Sequence, residues 1–66
     1  MTADEIKNIR ERSGLTQSQF AARLKVAVTT VSRWECGTGR PGLRSIQKLR
    51  RIERRLNKAG IALNDA

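Results

Sequence analysis

The stretch from Gln17 to Cys36, QSQFAARLKVAVTTVSRWEC, constrains the fold of this chain more than any other segment. Its apolar residues recur at the spacing of an α-helix in two short blocks. The shared faces of these blocks hold Phe20, Ala21 and Leu24 in the first and Val31 and Trp34 in the second. Val26 lies between the blocks. The pattern therefore predicts two short helices joined by a tight turn.

The charge of the chain indicates a polyanionic partner. Among 66 residues, 14 are Lys or Arg and 6 are Asp or Glu, so the formal net charge is +8. Nucleic acid is the first candidate partner and an anionic membrane surface the second. The second predicted helix leaves Val28, Thr29, Ser32 and Arg33 pointing outward. A short helix presented in this way on a basic chain is typical of a helix-turn-helix that enters the major groove of DNA.

Several classes of protein are disfavoured by what the sequence lacks. No apolar run approaches the roughly 20 residues of a membrane span, and no signal-peptide pattern is present, so we expect a cytoplasmic protein without a membrane partner. With Cys36 as the one cysteine and no histidine, we expect neither an internal disulfide nor a metal or cofactor site. The chain also lacks a carboxylate pair and a phosphate-binding glycine loop, so we do not expect an enzyme.

Helix signals divide the chain into four helices. Asp4 and Glu5 favour the start of the first helix, and Gly14 favours its end. Thr16 and Gln19 have the spacing of a capping box for the second helix. The predicted helices are Ala3–Ser13, Gln17–Leu24, Val28–Cys36 and Leu43–Ala59. One side of the last helix is predicted to be apolar, through Leu43, Ile46, Leu49, Ile52 and Leu56.

The run IRERSGLTQSQFAARLKVAVTTVSRWECGTGRPGLRSIQKL resembles the Cro/repressor-type, or XRE, family of helix-turn-helix domains. The matching residues are Arg10, Gly14-Leu15-Thr16-Gln17, Phe20-Ala21, Leu24, Val31-Ser32, Trp34-Glu35, Gly37 and Arg40-Pro41. The resemblance implies an all-α, compact, lambda-repressor-like domain of four helices, or five with one in the tail. We expect the domain over residues 1–60 and a C-terminal tail over 61–66. This chain departs from the family at Lys25, where the turn usually has Gly, and at Ala27, where a Ser or Thr cap is usual.

The resemblance and the exposed face of the third helix together suggest how DNA is contacted. The candidate base contacts are Val28, Thr29 and Arg33, because an Arg can pair with guanine and a Val can touch a thymine methyl. The candidate phosphate contacts are Arg10, Gln17, Ser32, Arg40 and Arg44. In the family Arg10 also pairs with Glu35, and Gln17 meets a phosphate at a helix start, where anions are favoured. The alternative for each of these side chains is an ordinary solvated surface residue.

The expected function is sequence-specific binding of double-stranded DNA, as a transcriptional repressor that binds an inverted repeat as a homodimer. An apolar patch of Ile52, Leu56, Ile61 and Leu63 that the small core cannot fully cover is the candidate dimer contact. Two alternatives remain open. One is an antitoxin or adaptor whose main partner is a protein such as a toxin or polymerase. The other is a non-specific nucleic-acid binder. The basic run LRRIERRLNK is equally open, as a solvated face, a second nucleic-acid contact or a membrane-surface helix.

Overall fold

The computed structural model describes residues 1–59, which form four α-helices and no strand. The helices are α1 (Ala3–Ser13), α2 (Gln17–Leu24), α3 (Val28–Cys36) and α4 (Leu43–Ala59). The all-α fold and the four predicted helix ranges are confirmed. The predictions for residues 60–66, including the helix end at Gly60, the fifth helix and the tail, fall outside the described residues.

The first two helices begin with reciprocal capping. The Thr2 hydroxyl accepts from the Glu5 N–H at 3.2 Å, and the Thr2 N–H donates to the Glu5 carboxylate at 3.2 Å. Thr16 and Gln19 form the same pair of bonds at the start of α2. These bonds satisfy N–H groups that the first turn of a helix leaves without a partner. The Thr16 capping box is confirmed, and the one at Thr2 follows the same sequence spacing.

Three helix ends share one backbone geometry. Gly14, Lys25 and Gly37 follow α1, α2 and α3 and have φ values of 72°, 60° and 79°. At each end the next residue donates a backbone hydrogen bond back into the helix, as Val26 does to the Ala21 carbonyl at 3.0 Å. Lys25 is the one non-glycine residue with positive φ in the described chain. The turn between α2 and α3 therefore keeps the left-handed geometry without glycine.

The four helices surround one core. Both α3 and α4 pack on α1 and on α2, so α3 and α4 occupy opposite corners of the bundle. The buried apolar residues are Ile6, Ile9, Leu15, Phe20, Ala21, Leu24, Val31, Trp34, Leu49, Ile52 and Leu56. Trp34 is 5% exposed, which confirms its predicted place in the core. The result is that the outer faces of α3 and α4 point to different sides of the molecule.

One prediction about exposure is wrong. Ile52 and Leu56 are 8% and 4% exposed, so the core does cover them and they offer little surface for a dimer. Leu43, on the predicted apolar side of α4, is 72% exposed at the start of that helix. Cys36 is exposed at the end of α3. Of the residues proposed for the dimer contact, Ile61 and Leu63 lie outside the described residues.

Candidate nucleic-acid interface

The outer face of α3 is open to solvent along its length. Val28 is 44% exposed, Thr29 and Arg33 are exposed, and Ser32 is half-buried. No hydrogen bond or ion pair within residues 1–59 holds the Arg33 guanidinium. The side chains predicted to contact bases are therefore brought together on one accessible surface, while Val31 and Trp34 hold the opposite face of the helix in the core.

A hydrogen-bond network locks α3 to α1 and α2. Arg10 donates to Glu35 through Nε at 2.7 Å and through Nη2 at 3.1 Å, which is a bidentate ion pair. Arg10 Nη1 also donates to the Leu15 carbonyl at 3.0 Å, and Gln17 Nε2 donates to Glu35 Oε1 at 3.2 Å. The Arg10 and Glu35 side chains are 16% and 5% exposed. Glu35 thus ties its own helix to both neighbouring helices through fixed geometry.

The network fixes the charge state of its members. Burial acts to raise the pKa of the Glu35 carboxyl, but the hydrogen bonds from Arg10 and Gln17 and the positive charges of Arg10 and Lys7 together outweigh burial and leave that pKa below its usual value. The hydrogen bond to Glu35 raises the pKa of Arg10. Both groups are therefore charged at neutral pH, and their charges compensate each other. Glu35 consequently adds no uncompensated negative charge near the surface of α3.

These contacts change how two predicted phosphate contacts can act. A guanidinium has five N–H groups, and three hydrogen bonds turn that of Arg10 inward. The Gln17 side-chain amide is likewise bonded to Glu35, although Gln17 is only half-buried and begins α2. Gln17 keeps its backbone N–H, in the first turn of a helix, as a group that could meet a phosphate. The sequence did not predict the bond between Gln17 and Glu35.

The loop after α3 is held by one carbonyl. The Arg33 carbonyl accepts from the Thr38 N–H at 3.0 Å, the Gly39 N–H at 3.2 Å and the Thr38 hydroxyl at 3.3 Å. A side chain at Gly39 would lie against the Arg33 Cβ at 3.4 Å. Arg40 and Arg44, which follow, are both exposed. The loop therefore has a defined path that leads two cations away from the end of α3.

A contact that the sequence did not predict supports the turn between α2 and α3. Lys48 on α4 donates from Nζ to the Leu24 carbonyl at 3.0 Å, so that a cation meets the C-terminal end of α2. Such a charge is favourable there because the last carbonyls of a helix lack partners within it. Nothing local in the sequence indicates this bond, since its two residues are 24 positions apart.

Two other features of the described chain bear on function. Over residues 1–59, no helix is both long enough and apolar enough to pass through a bilayer. The same residues contain no group of three or more acidic, histidine or cysteine side chains placed to hold a metal ion.

Comparison with known proteins agrees with this geometry. A family model described as Helix-turn-helix matches residues 6–58, which span α2, the turn, α3, most of α1 and nearly all of α4. The HTH-type transcriptional activator BcrR of Enterococcus faecalis is 36% identical over 44 residues, which are 67% of this chain and 22% of the relative. The chain therefore corresponds to about a fifth of that relative's length. No solved structure gives a significant match. The chain belongs to the Cro/repressor-type helix-turn-helix family, whose members are DNA-binding regulators of transcription.

Proposed function

We propose that this chain binds specific double-stranded DNA sequences and regulates transcription, with α3 as the helix that reads the major groove. The observation that supports the proposal is the contrast between the two faces of α3. One face is fixed by Val31, Trp34 and Glu35, and the other presents Val28, Thr29 and Arg33 to solvent. A helix held rigidly on one side and open on the other is suited to insertion into a groove about 12 Å wide.

The proposed contacts divide into those that specify and those that position. Arg33 would pair with guanine, while Thr29 and Val28 would contact neighbouring base edges. Ser32, Arg40 and Arg44 would meet phosphates along the two edges of the groove. Gln17 would use its backbone N–H, and Arg10 the two N–H groups that the network leaves free. These five phosphate contacts are of the kind that fix a domain's register on DNA.

Arg33→Ala and Arg44→Ala test this division. Arg33→Ala should cost about 1–3 kcal/mol on the preferred sequence and relax the preference at one base pair, most simply a guanine. Arg44→Ala should weaken binding to preferred and random DNA alike and reduce the salt dependence by about one counterion. The preferred sequence comes from selection out of random DNA. Equal losses on preferred and random DNA for both variants would contradict the assignment of roles.

We also propose that the protein acts as a homodimer on an inverted repeat, with half-sites about 10–10.5 bp apart. A single short helix offers too few contacts for tight binding, and two-fold symmetry doubles them. Because Ile52 and Leu56 are buried in the monomer, the proposed contact is carried by Ile61 and Leu63. Deletion of residues 61–66 should greatly weaken binding to the full site and leave half-site binding nearly unchanged. An equal loss on both sites would mean that the tail supports the folding or DNA binding of the monomer and not the dimer contact.

Repression is the regulatory outcome we propose, because a bound domain represses by blocking a site that another protein needs. Activation requires in addition a surface for a partner protein. The relative BcrR carries the name of an activator, and this chain spans 22% of it. A reporter gene with the selected site placed over a promoter should therefore fall in expression when the protein is produced. A rise in expression would assign activation instead, and Arg33→Ala should weaken either response.

A further inference from the structure

α4 carries an exposed row of cations, of which the proposed DNA contact uses only the first, Arg44. We infer that this row binds the phosphate backbone of a second DNA duplex, so that one protein molecule can bridge two DNA segments. The cationic row is defined here as Arg44, Lys48, Arg51, Arg55 and Lys58, all of which are exposed. For the first duplex the inference rests on the proposed function, and for the second it stands on α4 alone.

The spacing of the cationic row places its members on one side of the helix. Steps of four, three, four and three residues keep side chains aligned along an α-helix. The row spans about 21 Å, since each residue of a helix rises about 1.5 Å. Glu53, the one acidic residue in α4, lies on another flank, where it pairs with Arg50 at 3.1 Å. The row is therefore a continuous strip of positive charge.

A groove beside α4 extends the cationic row toward α2. Its volume is about 310 Å³, and it is lined by Arg23, Leu24, Lys25, Lys48, Arg51 and Ile52. Four of these six lining residues are cations and none is acidic. Lys48 bonds to the Leu24 carbonyl through one of its N–H groups, which leaves two for a ligand. A concave site with this charge suits a phosphate group of a polyanion.

The chemistry of the row favours duplex nucleic acid over other polyanions. Protein interfaces are centred on apolar and aromatic residues, whereas the row has none. A membrane-surface helix needs a free apolar face, and the apolar face of α4, with Leu49, Ile52 and Leu56, is in the core. Single-stranded nucleic acid is usually bound by stacking on aromatic side chains, yet Phe20 and Trp34, the two aromatic residues of the chain, are buried.

The position of α4 indicates a second duplex and not the first one. Because α3 and α4 both pack on α1 and on α2 and make little contact with each other, the proposed base-reading face and the cationic row belong to helices on opposite sides of the core. Arg44, at the start of α4, is the member closest in the chain to the loop after α3. The proposed complex with a single duplex assigns a role to Arg44 and none to the other four cations of the row.

The test is capture of a second duplex. Protein is bound to an immobilised random-sequence duplex of about three helical turns, and a labelled duplex of the same length is added at about 100 mM salt. The stripe variant neutralises the last three cations of the cationic row: Arg51→Gln/Arg55→Gln/Lys58→Gln. The matched control, Lys7→Gln/Arg12→Gln/Arg50→Gln, removes the same amount of charge from other exposed positions. Circular dichroism and melting establish that both variants are folded.

We expect the amount of second duplex captured to fall at least about fivefold in the stripe variant. The salt dependence of its capture should fall by about 2–3 counterions. The control should lose less than about half as much. Equal loss in both variants would show that the net charge of the protein alone is responsible for the capture. No loss in the stripe variant would indicate that the second duplex is bound by the α3 face of the other protomer of a dimer. Either result overturns the inference, as does tighter stripe-dependent binding of single-stranded RNA or anionic vesicles.

The proposed function has a separate readout in the same experiment. Binding of the preferred sequence, measured with one duplex by titration, should depend on Arg33 and not on the cationic row beyond Arg44. If Arg33→Ala leaves this titration unchanged while the stripe variant loses the second capture, the proposed function fails, and only the binding of a duplex by the cationic row stands. The opposite pattern removes the bridging inference alone.

Discussion

The starts of α1 and α2 are built differently from the start of α3, the helix whose outer face we assign to DNA. Thr2 and Thr16 each form a complete capping box, whereas Ala27 provides no side-chain cap among the described residues. The turn before α3 also places Lys25 in left-handed geometry at φ 60°. The starts of α1 and α2 are therefore specified by local capping signals, and the start of α3 is not.

The other end of α3 shows what replaces those signals. Gly37 ends the helix, three donors meet the Arg33 carbonyl, and Glu35 is bonded to Arg10 and Gln17. Together with the buried Trp34, these contacts lie in the second half of the helix. The position of α3 is thus set by its body and its C-terminal end, through contacts with α1, α2 and the following loop. The N-terminal half, which carries Val28 and Thr29, has Val31 in the core but no side-chain hydrogen bond at its start.

The first prediction removes the main apolar anchor of α3. Trp34→Ala should destabilise the fold by about 3–5 kcal/mol, the usual cost of truncating a large aromatic side chain in a core. In a domain of 66 residues this is a large share of the total stability, so the variant should be largely unfolded in a urea titration. Trp34→Phe should lose much less. A Trp34→Ala variant with an unchanged melting temperature and lost DNA binding would instead make Trp34 a contact residue.

The sequence predicted the parts of this comparison that depend on neighbours in the chain. Helix ranges follow from apolar spacing and from Gly14, Thr16 and Gly37, all of which act within one or two turns. The two weak points before α3, Lys25 and Ala27, were identified because they depart from the family pattern. In the structure Lys25 adopts the left-handed geometry for which the family usually has Gly. Ala27 occupies the N-cap position of α3 without a side-chain hydrogen bond.

The parts that could not be predicted depend on long-range packing. The bond from Lys48 to the Leu24 carbonyl joins a side chain to a backbone atom, so residue types give no sign of it. The burial of Ile52 and Leu56 depends on how far α4 extends along α1 and α2. In the proposed site, the positions of Val28, Thr29 and Arg33 follow from helical spacing, but the inward turn of the Gln17 amide requires the location of Glu35.

The second prediction breaks the polar anchor of α3. Arg10→Met should destabilise the fold by about 3 kcal/mol, because it leaves the largely buried carboxylate of Glu35 without its cation. The double variant Arg10→Met/Glu35→Leu should recover much of this loss, since it removes both charges together. Thermal melts of the two variants give the measurement. If the double variant is no more stable than Arg10→Met, the lost stability comes from packing of the Arg10 side chain and not from the charge left behind.

The same anchor predicts a pH dependence of the free energy of unfolding. The pKa of Glu35 lies below its usual value in the folded protein, so the folded state holds this carboxyl ionised more strongly than the unfolded state does. The stabilisation is present above the unfolded pKa of about 4.3 and is lost as the pH falls through the lower folded value. Urea titrations between about pH 6 and pH 3 should show this loss in the native protein and a shallower one in Glu35→Gln.

The fourth and smallest prediction concerns the start of α3 itself. Ala27→Ser should stabilise the domain by about 1 kcal/mol, because the hydroxyl can accept from an N–H of the first turn that now lacks a side-chain partner. In a domain of this size that corresponds to a rise of about 4–8 °C in melting temperature. Thr16→Ala is the reciprocal variant and should lose a similar amount by removing the capping box of α2.

Ala27→Val, which enlarges the side chain without adding an acceptor, is the control and should not stabilise. If the Ser and Val variants melt together, the first turn of α3 is satisfied by solvent as well as by a cap, and the difference between the helix starts has no energetic consequence. If only the Ser variant gains stability, the start of α3 carries a real deficit, and the contacts around Trp34 and Glu35 offset it.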